Sequence, residues 1–143
     1  MRLRTFCCVF VVAFTLAIFS QATVFADEAS EKKAAASAEA WLKLVDSGKY
    51  AESWDAASEL FKAAGEKEQW RKSLTAVRKP LGKVLQRKLK AKQFMTSLPG
   101  APDGKYVVIQ YDTSFENKKT AVETVTPMLD KDGKWRVSGY YIK

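Results

Sequence analysis

The sequence predicts an α+β fold, with N-terminal helices packed on one face of a four-stranded antiparallel sheet. Apolar residues recur at helical spacing as far as Val77, and the period falls to two after Gly82. Short turn signals then separate the alternating segments. Strands joined by such turns are antiparallel neighbours, and helices that precede a meander lie on one of its faces.

The first predicted helix covers residues 30–47, where Ala34, Ala38, Trp41, Leu42 and Val45 share a side and Gly48 follows as a cap. Its beginning, rich in Ala, Glu and Lys, is expected to fray. A short helix over 50–58 puts Tyr50, Trp54 and Ala57 on one side, and an apolar turn at Leu60-Phe61 leads to Gly65. A third helix, 66–79, carries Trp70, Leu74 and Val77 on one face and stops at Pro80. The first strand, 83–96, alternates Leu85, Leu89 and Ala91 inward with Gln86, Lys88, Lys90 and Lys92 outward. The cluster 99–104 is a turn by composition. Val107, Ile109, Tyr111, Thr113 and Phe115 form the inward set of the second strand, Asn117-Lys118 turns the chain, and the third strand runs over 120–129. Asp132-Gly133 marks a hairpin before the last strand, 135–142.

Residues 1–26 read as a signal peptide. Arg2 and Arg4 precede a run from Phe6 to Phe19 that is apolar except for Thr15, and Val24-Phe25-Ala26 offers a cleavage site. A run of about 14 residues is shorter than the roughly 20 that span a bilayer. Cys7 and Cys8, the only cysteines, lie inside it. Cleavage after Ala26 leaves one domain, 27–143, exported to the periplasm or beyond. The formal charge falls from +8 to +6, because the segment holds two Arg and no acid. With no His anywhere and no Cys in the mature chain, imidazole catalysis, thiolate chemistry, disulfides and zinc sites of the usual ligands are all excluded.

Carboxylates and phenols remain. Asp55, Asp112 and Glu123 are the candidate bases, with Tyr50, Tyr111 and Tyr141 as proton donors, provided a carboxylate sits in an apolar pocket. The simpler expectation places Asp112 and Glu123 on the solvent face. Asp130, Asp132 and Gly133 lack the ligand spacing and flanking helices of a calcium loop and read as a turn. No glycine-rich phosphate loop is present. Trp41, Trp54, Trp70, Tyr111, Trp135 and Tyr141 fall at the buried phase of their elements, where core packing is the ordinary role. Trp54 and Tyr111 are the candidates for lining a ligand site.

Charge is the most uneven feature. Residues 27–70 hold 6 basic and 10 acidic side chains, residues 71–92 hold 9 basic and none acidic, and the remainder is nearly neutral. Part of the excess complements a helix C-terminus, and lysines also protect an exposed strand from edge pairing. The tract suits an anionic envelope surface or an acidic protein as partner, with Lys88, Lys90 and Lys92 as the contact. Export argues against nucleic acid.

Several stretches carry a family likeness. They are residues 40–50 followed by Ser53-Trp54, residues 96–100 followed by 105–108, residues 123–128, and residues 132–140. Together they resemble an exported bacterial family, domain of unknown function 4019, over nearly all of 38–142. The resemblance implies a cystatin-like, nuclear-transport-factor-two-like α+β roll, in which a curved sheet wraps a long helix and can leave a conical pocket. It implies no activity, since a fold alone does not specify one.

The sequence thus points to a small exported binding or accessory module without catalysis or cofactor, meeting an anionic surface or an apolar ligand. A lyase or isomerase of the roll type with a pocket carboxylate is the alternative, as is a structural module that forms a homodimer.

Overall fold

The computed structural model describes residues 21–143, with side chains from Asp27 onward. Most of the predicted signal peptide lies outside the described residues. Four helices come first: α1 (Gln21–Asp46), α2 (Tyr50–Asp55), α3 (Glu59–Ala63) and α4 (Lys67–Leu81). Strands β1 (Val84–Met95), β2 (Tyr106–Phe115), β3 (Ala121–Leu129) and β4 (Trp135–Ile142) follow. They form one sheet in the order β1-β2-β3-β4 with every pair antiparallel, as the turn signals predict.

Helix α1 begins before the predicted start, because the Ala-, Glu- and Lys-rich stretch after Ala26 consists of strong helix formers. It ends as expected, at Gly48 with φ 73°. Ala34, Ala38, Trp41, Leu42 and Val45 are all buried, and they meet Val107, Ile109 and Tyr111 of β2, Val125 of β3 and Val137 of β4. Two alanines on this seam let the helix lie close to the sheet. Each buried Leu, Ile or Val there stabilises the fold by about 1.5–3 kcal/mol. Ser53 fastens the other helices to this seam. Its carbonyl accepts from Trp41 Nε1 at 2.7 Å, and its hydroxyl accepts from Trp70 Nε1 at 3.0 Å.

Three register shifts reset the faces of the outer strands. In β1, Val84 opposes Phe115 and Gln86 opposes Ser114, so Leu85 is an inserted residue. Lys90 is a second one, between the pairs Leu89–Tyr111 and Ala91–Gln110. In β4, Ser138 is inserted between Val137, opposite Pro127, and Gly139, opposite Thr126. Each bulge flips the alternation that follows it. The predicted inward set of β1 is therefore corrected: Val84, Arg87, Leu89, Lys92 and Phe94 share the helix side, Leu85 is exposed, and Ala91 faces away from the helices. Leu89, opposite Tyr111, is itself 57% exposed. Beyond Ser138 the inward residue is Tyr140, and Tyr141, predicted buried, is 56% exposed. Strand β2 has no register shift of its own, and its predicted inward set is buried throughout.

Helix α4 continues one residue past Pro80 and closes at Gly82. Its inner stripe is Trp70, Leu74 and Arg78, and Val77, expected on that face, is 48% exposed. The buried arginine at this position belongs to the ion network that the six longest elements build.

Candidate functional site

Six elements each send one polar side chain into the space between the helices and the sheet. Glu123 of β3 is fully buried. Its Oε2 accepts from Arg87 Nε of β1 at 2.7 Å and from Thr113 Oγ1 of β2 at 2.7 Å. Its Oε1 accepts from Tyr140 OH of β4 at 2.6 Å and from Arg87 Nη2 at 3.2 Å. The expectation that Glu123 faces solvent is thus corrected: it shares the inward alternation of Ala121 and Val125, and its charge is carried inward because donors surround it.

Asp46, the last residue of α1, joins the second half of the cluster. Its carboxylate accepts from Arg87 Nη1 at 2.7 Å and Arg87 Nη2 at 3.0 Å, and from Arg78 Nη2 of α4 at 3.0 Å. Arg78 also donates to Tyr140 OH at 3.3 Å, and its guanidinium lies over Phe115, 5.1 Å from the ring centre. Two guanidinium groups and two carboxylates balance one another. Burial works against the Asp46 carboxylate, but the hydrogen bonds from Arg87 and Arg78 outweigh it and hold its pKa below the usual value. Burial, reinforced by the Glu123 charge, pushes the Tyr140 phenol far above its ordinary value. Burial opposes the charge on Arg87, yet Asp46 and Glu123 leave its pKa raised. Glu123 therefore accepts four hydrogen bonds within the protein, and the arrangement is suited to clamping elements together rather than to moving a proton.

The other candidate carboxylates are exposed and paired: Asp55 accepts from Lys67 Nζ at 2.6 Å and Asp112 from Lys90 Nζ at 3.0 Å. Tyr111 packs in the hydrophobic core with Val107 and Ile109. Trp54 stands on the wall of an open groove of about 360 Å³ shared with Phe61, Trp70 and Tyr140. The three lysines do not project together from one face. Lys88 is exposed, Lys90 reaches across to Asp112, and Lys92, expected to project beside them, lies on the helix side, 3.4 Å from Glu31 of α1.

A larger groove, about 720 Å³, opens between α3, the Pro102–Gly104 turn and the β3–β4 hairpin. Leu60, Ala63, Pro102, Met128 and Leu129 give it an apolar lining. Asp130 and Asp132 stand at its side, and Arg136 holds both, at 2.8 Å from Asp130 Oδ2 and 2.8 Å from Asp132 Oδ2. That guanidinium is the main reason the Asp132 carboxyl is held down to about 2. Sequence reasoning missed this groove, because its walls come from four separate segments, although the Asp132-Gly133 hairpin placed one of them.

The described residues form an α+β domain with an ion cluster of two guanidinium groups and two carboxylates in its interior and grooves with apolar walls at its surface. The chain belongs to the family described as protein of unknown function (DUF4019), whose profile matches residues 37–140. That span contains all six residues of the cluster. No curated protein and no solved structure matches the chain.

Proposed function

We propose that this protein is an exported, non-catalytic binding or accessory module of the cystatin-like, nuclear-transport-factor-two-like roll, which takes an apolar ligand. The observation that carries this reading is the groove of about 720 Å³ lined by Leu60, Ala63, Pro102, Met128 and Leu129. Its size and lining suit a small apolar molecule. The state of the carboxylates supports binding over catalysis. Arg136 keeps Asp130 and Asp132 as ion pairs, and Glu123 has its oxygens occupied by Arg87, Thr113 and Tyr140.

Two measurements test the reading. Titration with the neutral fluorescent probe N-phenylnaphthylamine is expected to show saturable binding that Ala63→Trp abolishes and Trp54→Ala leaves intact. Binding lost in Trp54→Ala and kept in Ala63→Trp would move the site to the aromatic groove, and no saturable binding would reject the apolar ligand. For export, sequencing of the cell-envelope product is expected to start at Asp27, and an intact Met1 would show an uncleaved leader.

A further inference from the structure

The fold assembles a basic end that the sequence does not display as one tract. The turn after β2 is strapped to the α4–β1 junction: Asn117 N donates to Leu81 O at 3.0 Å, Asn117 Nδ2 to Pro80 O at 3.0 Å, and Lys83 N to Glu116 Oε2 at 2.8 Å. Lys118 and Lys119 of that turn are thereby brought to Lys79, Lys83 and Lys88, and Lys88 and Lys119 line one depression together. All five lysines are exposed, and none forms a salt bridge among the described residues. Of the acidic side chains on these segments, Asp112 is held by Lys90 and Glu116 is turned to the Lys83 backbone. Leu85, 57% exposed, is pushed out of β1 by its bulge between Lys83 and Lys88.

We propose that this end docks on a bilayer containing anionic phospholipid. The five lysines meet the headgroups, and Leu85 enters the boundary between headgroups and acyl chains. Charge complementarity selects an anionic partner. An exposed apolar side chain ringed by cations favours lipid over an acidic protein, because it gains only where an apolar phase lies beneath the charges. This surface is separate from the apolar groove, and of the three-lysine contact expected from sequence it keeps Lys88 alone, since Lys90 is paired with Asp112 and Lys92 with Glu31. Leu85 is part of it only because of the bulge.

The test compares the protein, as the cell leaves it, on vesicles of phosphatidylcholine alone and with about one third phosphatidylglycerol, at low salt. The readout is the ratio of anionic to neutral binding. Each lysine near the surface contributes roughly fivefold, so Lys88→Gln with Lys118→Gln and Lys119→Gln is expected to lower the ratio by roughly a hundredfold. Removing the same charge at the opposite end, with Lys105→Gln, Lys131→Gln and Lys134→Gln, is expected to leave the ratio within a few-fold. Leu85→Gln is expected to weaken vesicle binding without changing retention on immobilised polyglutamate. The proposal fails if the wild type shows no preference for anionic vesicles, or if both triple variants lose equally, which would reflect net charge alone. It also fails if Leu85→Gln leaves vesicle binding unchanged, which would point to an acidic macromolecule.

Discussion

Arg87 and Glu123 face each other across the helix side of the sheet from strands that are not neighbours, with β2 between them and Nε 2.7 Å from Oε2. The guanidinium therefore bridges over Thr113, which donates to the same oxygen. Because Arg87 also grips Asp46 at the end of α1, one side chain ties the outer strand, the sheet interior and the long helix together.

Breaking this pair leaves a buried charge without its partner. Glu123→Gln and Arg87→Met are each expected to cost about 3–5 kcal/mol. The double variant is expected to cost clearly less than the sum of the two. Urea unfolding of the four proteins checks this, and simple additivity would mean that the two groups do not act as a unit.

Tyr140→Phe removes one donor to Glu123 and is expected to cost about 1.5–3 kcal/mol. The folded pKa of this phenol is raised, so its contribution is complete below the unfolded value of about 10 and is lost as the pH climbs above it. Wild type is therefore expected to lose stability steeply in alkali, and the variant to lose less over the same range. Parallel slopes in alkaline unfolding curves would contradict the assignment.

Asp46 behaves in the opposite sense. Its folded pKa is depressed, so its contribution is present above the unfolded value of about 3.9 and is lost as pH falls through the folded value. Asp46→Asn is expected to be less stable than wild type at neutral pH, with the gap closing in acid. Unfolding midpoints measured from neutral pH down to about 2 would show the convergence.

Gly82 lies at φ 76°, and a Cβ there would stand 2.6 Å from Glu116 Oε2 and 2.9 Å from Glu116 Cβ. Gly82→Ala is expected to cost more than about 1 kcal/mol, through backbone strain and displacement of the turn after β2. Gly65→Ala meets nothing within 4 Å and is expected to stay within about 0.5 kcal/mol of wild type. Equal midpoints for the two variants would remove the proposed constraint.

Three of the helices, the four strands and their order were legible because period and turn chemistry are local properties, whereas α3, five residues long, reads from sequence as no more than an apolar turn at Leu60-Phe61. In β2 the alternation from Val107 to Phe115 runs without a break, and reading every second residue finds the buried face. The same reading fails in β1 and at the end of β4, where Leu85, Lys90 and Ser138 shift the phase and leave no mark in composition. The ion cluster was hidden for another reason. Val125 places Glu123 two residues away on the buried face, but a carboxylate alone reads as solvated. The arginines that make burial possible come from positions 36 and 45 residues earlier in the chain. Likewise, Lys118 and Lys119 join the basic end only once Asn117 is bonded to Leu81.

The internal cluster also bears on how the fold meets heat. Hydration of charged groups becomes less favourable as temperature rises, so the cost of keeping Asp46, Arg78, Arg87 and Glu123 away from water shrinks. Apolar burial per unit area levels off over the same range. The relative weight of the cross-link therefore grows on warming, and the junction where α1 and α4 end against β1 and β3 becomes the part of the molecule that holds longest. The part of α1 ahead of Ala34, where the Glu31–Lys92 pair is the salt bridge found among the described residues, is expected to fray first.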